Sequence, residues 1–370
     1  MPTPTEVWIA IAVAAVVIAL VAVAVVRGRR SPGDYDPILL GLRLRRRPHR
    51  DHFRPEGHGD TTAPPLKRIA VVVNPTKFED LAAVRRSIAT GCRESGWGEP
   101  IWLETTQADP GTGQARLALE QGADMVCPLG GDGTVRTVAM ALAGTETPLG
   151  LLPAGTGNLL ARNLDLPVYD LSQALKVALL GRNKRIDVGR LTVDLSGEHE
   201  RPEEHLFLVM AGFGFDAAVM ADAPEKLKAA VGSAAYVVSG LKNLGGQRFK
   251  VRVSVDGGPE FTRRTRTVLI GNCGKLFGGL VLMPEAKVDD GILNAVIISP
   301  KGLVGWAAVL ARVATQQRKG HERVDHHSGR EIHVRADRLE AVQVDGDTVG
   351  QARVLTAVVE PGALVVRIGA

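Results

Sequence analysis

The sequence predicts an α/β domain followed by a mainly antiparallel β-sandwich domain, preceded by one N-terminal transmembrane helix. Three observations predict it. Residues 67–187 alternate short apolar runs with helix-period segments, and the runs end in glycine or polar turns, the signature of a parallel sheet. After residue 187 the chain changes to short strands separated by turn signals, the texture of a sandwich. Residues 7–26 carry no charge over twenty positions, about the length that crosses ~30 Å of hydrocarbon. The expected divisions are an anchor over 1–30, a basic Pro-rich linker over 31–66, the α/β domain over 67–187, the sandwich over 188–358, and a strand over 359–370 returning to the first domain.

The anchor comes first. Arg27, Arg29 and Arg30 follow the apolar run directly, and Glu6 precedes it, so the positive-inside rule places the large domain in the cytoplasm of a single-pass cell-membrane protein. A signal peptide would need a basic n-region and a small-residue cleavage site, and neither is present. The isoelectric point of about 9.2 invites a nucleic-acid partner, but the charge is local. Residues 27–56 hold nine Arg against four acids, a net of +5, which equals the net charge of the whole chain. No basic globular domain remains, and nucleic-acid binding is excluded. The arginines of the linker are expected to lie on anionic lipid headgroups, at ~1 kcal/mol each. Cys92, Cys127 and Cys273 are scattered, without metal or redox spacing, and suit a reducing compartment.

In the α/β part the strands are expected at Ile69-Ala70-Val71-Val72-Val73, Ile101-Trp102-Leu103, 123–129 and 148–153, and the helices at 81–90, 113–121, 135–142 and 172–180. The turn at the end of each strand carries the chemistry. The third strand runs into Gly130-Gly131-Asp132-Gly133-Thr134 and then a helix. Glycines let a backbone approach phosphate oxygens, and the free N–H groups of a helix start point at them. The turn is not a P-loop, because no Gly-Lys-Ser/Thr follows, nor a dinucleotide fingerprint, whose third glycine falls on Arg136. Asp132 would repel phosphate unless it meets a cation, a ribose or a substrate hydroxyl. A lone turn of this kind is also an ordinary surface turn. A second junction decides between them: the fourth strand ends in Ala154-Gly155-Thr156-Gly157-Asn158 before another helix-like segment. Asn74-Pro75 and Thr105-Thr106 close the first two strands. Four polar loops at the carboxyl ends of parallel strands make a nucleotide site.

In the sandwich part, strands are expected at 190–194, 205–210, 249–255, 265–270, 293–298, 331–334, 341–344 and 351–358, with helices at 224–244 and 302–319. Their apolar faces are expected to pack on the sandwich, the second helix having membrane-interface contact as its alternative. His321, His326, His327 and His333 match no zinc spacing and are expected in a solvated loop. Asp345-Gly346-Asp347 reads as a hairpin turn.

These motifs, taken in order, resemble the diacylglycerol kinase catalytic family, which includes bacterial lipid kinases and sphingosine kinases. To those above are added Gly212-Phe213-Gly214-Phe215-Asp216-Ala217, Asn272-Cys273-Gly274, Pro284-Glu285-Ala286-Lys287-Val288-Asp289-Asp290-Gly291-Ile292-Leu293 and Val344-Asp345-Gly346-Asp347. The resemblance runs from Lys67 to the end of the chain. It implies nucleotide contacts from Asn74, Thr106, Gly130, Gly131, Asp132, Gly133, Thr134, Gly155 and Thr156. It implies a structural Mg²⁺ on the Asp290 carboxylate and the main-chain carbonyls of Lys287 and Ile292, and catalytic acids at Asp347 and Asp132. The chain departs from the family at Thr76-Lys77-Phe78, at Thr137 and Leu159 where acids are frequent, and at Asp347 where Glu is common.

The resemblance thus implies an ATP- and Mg²⁺-dependent lipid kinase acting on a hydroxyl of a membrane lipid, with diacylglycerol the leading candidate. An NAD kinase-like small-molecule kinase and a membrane-tethered nucleotide-binding module without turnover stay open as alternatives, as does homodimerisation.

Overall fold

The computed structural model describes residues 65–195, 202–214, 248–276, 281–299 and 324–369. The apolar run at 7–26, the arginine-rich linker and the helices expected at 224–244 and 302–319 lie outside them. Among the described residues no helix is long and apolar enough to cross a membrane. The longest of these, α1 (Leu81–Glu94), has 14 residues, about 21 Å at 1.5 Å each and short of the ~30 Å a span requires. That finding corrects the expected single-pass placement at the cell membrane.

β1 (Ile69–Val73), β2 (Ile101–Glu104), β3 (Met125–Gly130) and β4 (Leu152–Pro153) form a four-stranded sheet in the order β2-β1-β3-β4. Every neighbouring pair is parallel. β1 is buried at each of its positions, as a parallel strand covered on both faces must be. α1 and α5 (Leu171–Leu180) cover one face, packing Ile88, Cys92, Leu175 and Leu179 with Val71 and Cys127. α2 (Thr112–Glu120) and α3 (Asp132–Leu142) cover the other, packing Ala115, Ala118, Val138 and Leu142 with Ala70 and Val126. The side chains of Asp80 and Asp170 cap α1 and α5 by accepting from the N–H groups of Ala83 and Gln173. A short helix, α4 (Leu159–Asn163), follows β4.

The remaining strands are β5 (Arg182–Asp194), β6 (Glu203–Phe207), β7 (Met210–Phe213), β8 (Phe249–Val255), β9 (Phe261–Thr265), β10 (Thr267–Gly271), β11 (Leu293–Ile298), β12 (Val324–Gly329), β13 (Glu331–Val344) and β14 (Asp347–Ile368). They make a ten-stranded sheet, β12-β11-β10-β7-β13-β14-β5-β6, with β8 added to β13 and β9 to β8. Its pairs are antiparallel. Phe207, Phe213, Phe249 and the aliphatic residues around them form its own core.

The structure revises several sequence expectations. The strand expected at 205–210 is cut into β6 and β7, because the N–H groups of Leu208, Val209 and Met210 all donate to the carboxylate of Asp345. The strands expected at 331–334 and 341–344 are one, β13, with an irregular step between Arg335 and Glu340. His326 and His327 lie on β12 and His333 on β13, not in a solvated loop. The His327 ring stacks on Phe261 with 4.4 Å between centroids, and burial lowers its proton affinity. His321 lies outside the described residues.

Two contacts with β14 join the parallel sheet to the antiparallel one. β14 stays paired with β5 as far as Ile368, and over the same stretch Leu149, which also bridges to Val126 of β3, donates to the Val365 carbonyl at 2.8 Å and accepts from the Arg367 N–H at 2.9 Å. Gly144, just past α3, donates to the Ala363 carbonyl at 2.7 Å, while Asp187 on β5 holds the antiparallel part together by accepting from the N–H of Gly291 at 2.6 Å and that of Gly362 at 2.7 Å. The Leu149 and Gly144 bonds fix which ends of the two sheets face each other.

Candidate active site

The glycine loop begins where β3 ends. Gly130 is its last residue, Gly131 precedes α3, and Asp132 is the first residue of that helix. The helix start therefore presents Gly131, Asp132, Gly133 and Thr134 in one turn, with unsatisfied N–H groups and the positive end of the dipole. Thr134 is buried, and its hydroxyl lies where a side chain on Gly130 would stand, at 2.6 Å.

The second loop meets the first. A Cβ built on Gly155 would be 2.6 Å from the Cα of Gly131, so the two backbones touch. Asp132 seals this contact: its carboxylate accepts from the Leu159 N–H, at the start of α4, at 2.6 Å. Asn158 holds the loop itself, accepting from the Gly155 N–H at 3.1 Å and donating to the Gly155 carbonyl at 2.8 Å. Thr156 is exposed on the loop's rim. Burial pushes the Asp132 carboxyl up to about 6, with the charges of Asp345 and Asp347 adding to it and the Leu159 N–H opposing.

Asn74 and Thr106 are committed locally. The Asn74 side-chain oxygen accepts from the N–H and the hydroxyl of Thr76, and its N–H donates to the Leu129 carbonyl. Thr106 is exposed, and its hydroxyl accepts from the Asp109 N–H at 3.0 Å. Thr137, standing where the family often has an acid, ties this loop to α3 by donating to the Pro110 carbonyl at 2.9 Å.

The catalytic acid expected from the far end of the sequence does come to the glycine loop. Asp347 opens β14, and a Cβ built on Gly133 would be 3.2 Å from its Oδ2. The Asp345-Gly346 turn has φ of 49° and 94°, the left-handed pair of a tight hairpin. Asp345 is buried, and its three N–H donors fix the turn to the segment between β6 and β7. Burial pushes its carboxyl up, against those donors and the charge of Arg136.

Sequence reasoning assigned no role to Arg136. Its Nη2 pairs with Asp347 Oδ2 at 2.8 Å, and its Nη1 donates to the Val344 carbonyl. The only signal in the sequence was a cation one helical turn after a phosphate loop.

Lys287, Asp290 and Ile292 lie on the exposed loop before β11, and the loop's hydrogen bonds run to Asp187. Asp290 accepts from the Ile292 N–H at 3.1 Å. Partial burial raises its proton affinity, with the Asp187 charge adding to it and the Ile292 N–H and the Lys287 charge opposing. Among the described residues no group of three or more His, Cys, Asp or Glu side chains is placed to hold a metal. A set of one carboxylate and two main-chain carbonyls needs none, and such hard oxygen donors fit Mg²⁺.

Residues 68–191 match the Diacylglycerol kinase catalytic domain, and residues 209–368 match the YegS C-terminal NAD kinase beta sandwich-like domain. A Cronobacter sakazakii protein named Probable lipid kinase YegS-like is 32% identical over 277 residues, covering 73% of this chain and 87% of the relative. The chain belongs to the diacylglycerol kinase catalytic family. It is a kinase of the lipid kinase type. A Staphylococcus saprophyticus diacylglycerol kinase is 27% identical over 291 residues, 77% of this chain and 90% of that one. A crystal structure of a diacylglycerol kinase from Bacillus anthracis shares the fold, with a TM-score of 0.60 at 20% identity over 82% of this chain and 97% of that chain. Membership in a kinase family carries ATP use and a divalent metal with it.

Proposed function

We propose that this kinase transfers the γ-phosphoryl group of ATP to a hydroxyl of a lipid, with diacylglycerol first among the acceptors and Mg²⁺ as the metal. The observation that carries the proposal is the meeting of Asp347 with Gly133, because it sets a carboxylate beside a helix start built to hold phosphate. Phosphoryl transfer requires positioned phosphates, neutralised charge and a base for the attacking hydroxyl. The N–H groups of the Gly131 and Gly155 loops hold the phosphates. Asp347 accepts the hydroxyl proton as the lipid oxygen bonds to phosphorus and the bond to the leaving phosphate breaks. Asp132 keeps the two loops in one geometry through the Leu159 N–H. Asp290, with the Lys287 and Ile292 carbonyls, would hold Mg²⁺, which neutralises charge and stiffens the loop. The Staphylococcus relative's name supports diacylglycerol among lipid alcohols.

Asp347→Asn tests this. The amide preserves the size of the side chain but cannot accept a proton at neutral pH. Turnover on diacylglycerol in mixed micelles should fall by ~10²–10⁴-fold, with far smaller changes in KM. Retention of more than about a tenth of parental turnover, well outside that range, would remove Asp347 as the base. Lipid extract incubated with labelled ATP, with the product identified by mass, tests the acceptor separately.

A further inference from the structure

Asp347 is exposed and stands at the mouth of a two-residue turn, so nothing in its own strand fixes where its carboxylate points. The guanidinium of Arg136 supplies that direction. It pairs with Asp347 Oδ2 at 2.8 Å and donates to the carbonyl of Val344, the residue that pairs with Asp347 across the hairpin. One planar group thus holds both legs of the turn. Arg136 itself is well covered, with 18% of its side chain exposed against 55% for Asp347. It rises from α3, the helix that starts in the glycine loop, so the clamp joins that loop to the hairpin of the second part.

We infer that Arg136 is a positioning residue that holds the Asp347 carboxylate over the phosphoryl-transfer site. The inference rests on the reading of Asp347 as the base. Arg136 acts through Asp347 because the two ends of its fork are spent on the hairpin. A lysine cannot replace it fully: an ammonium is a point charge, and only a fork reaches a carbonyl and a carboxylate together in fixed geometry. Displacing a reacting group by ~1 Å costs up to ~10²-fold in rate, which bounds what loss of the clamp can do.

The test is a double-mutant cycle of Arg136→Met and Asp347→Asn, with Arg136→Lys beside it. For each variant kcat, KM for ATP and for micellar diacylglycerol, and thermal unfolding are measured. Amide hydrogen exchange over residues 344–348 is followed in the protein without nucleotide. Arg136→Met should lower kcat by ~10–10²-fold with both KM values within about threefold of the parent, because no substrate contact is lost. Arg136→Lys should recover part of that loss. Exchange in the hairpin should quicken in Arg136→Met and less in Arg136→Lys. In the Asp347→Asn background, Arg136→Met should cost under about threefold more, since acting through Asp347 makes the two losses non-additive. An equal loss in both backgrounds would mean that Arg136 acts on its own and would overturn the inference. Unchanged kcat and exchange in Arg136→Met, with Asp347→Asn inactive, would overturn it alone and leave the base in place. Parental turnover in Asp347→Asn would overturn the base assignment and this inference together.

Discussion

The Asp132 carboxylate accepts the Leu159 N–H at 2.6 Å, so the acid inside the phosphate loop joins that loop to α4. The arrangement has a cost that pH reveals. Burial raises the carboxyl from 3.8 to about 6, so between these values the folded protein keeps a proton that the unfolded chain has released. Stability from this group is fully present below about pH 4 and is lost as pH rises through about 6. Asp132→Asn keeps an acceptor for Leu159 without the ionisation. Relative to the parent, the variant should therefore gain on the order of 2–3 kcal/mol in unfolding free energy between pH 4 and 7. Urea unfolding at a series of pH values reads it, and a constant difference between the two proteins would show that Asp132 ionises freely in the fold.

The strand–loop–helix units carry the next level. Each loop is ordinary by itself, and the site exists because β3 and β4 are neighbours and bring their loops into backbone contact. Gly155 is the position that permits this, since a Cβ there would stand 2.6 Å from the Gly131 Cα, and a backbone atom cannot swing aside as a side chain can. Gly155→Ala should force the loops apart, lowering stability by about 1–3 kcal/mol and weakening ATP binding by about tenfold or more, the equivalent of ~1.4 kcal/mol. Gly133→Ala is the control, because its Cβ would meet only the Asp347 carboxylate, at 3.2 Å. It should keep the parent's stability, since no backbone contact is forced apart, while slowing turnover. Equal ATP affinities for Gly155→Ala and the parent, measured by calorimetry, would refute the loop contact as a condition of binding.

At the scale of the molecule, Asp187 ties β5, the Asp290 loop and the Gly362 bend of β14 together. A metal on Asp290 would act on this junction and thus on the whole fold, not on the glycine loops alone. A ligand bound only by the folded state stabilises it by RT ln(1 + [L]/Kd), about 2.7 kcal/mol at a hundredfold excess over Kd. Mg²⁺ should raise the melting temperature of the parent and EDTA should reverse the rise, while Asp290→Ala should respond to neither. Matching shifts in parent and variant would place the metal elsewhere.

The apolar runs and their glycine endings determined the parallel sheet, because a doubly covered strand must be apolar throughout and a tight turn after it must be glycine-rich. Ile69–Val73 and Gly130 through Thr134 were legible for that reason. The hairpin at Asp345-Gly346 was legible too, since its left-handed φ values favour those residue types. What the sequence could not carry were relations between distant segments. Arg136 and Asp347 are 211 positions apart, yet they form one ion pair. Asp345 interrupts the expected strand at 205–210 by taking three of its N–H groups, and local periodicity holds no trace of a competitor so far along the chain. Pattern records which face of a segment is buried; only the packed tertiary structure decides which partner buries it, and so which side chains meet in the site.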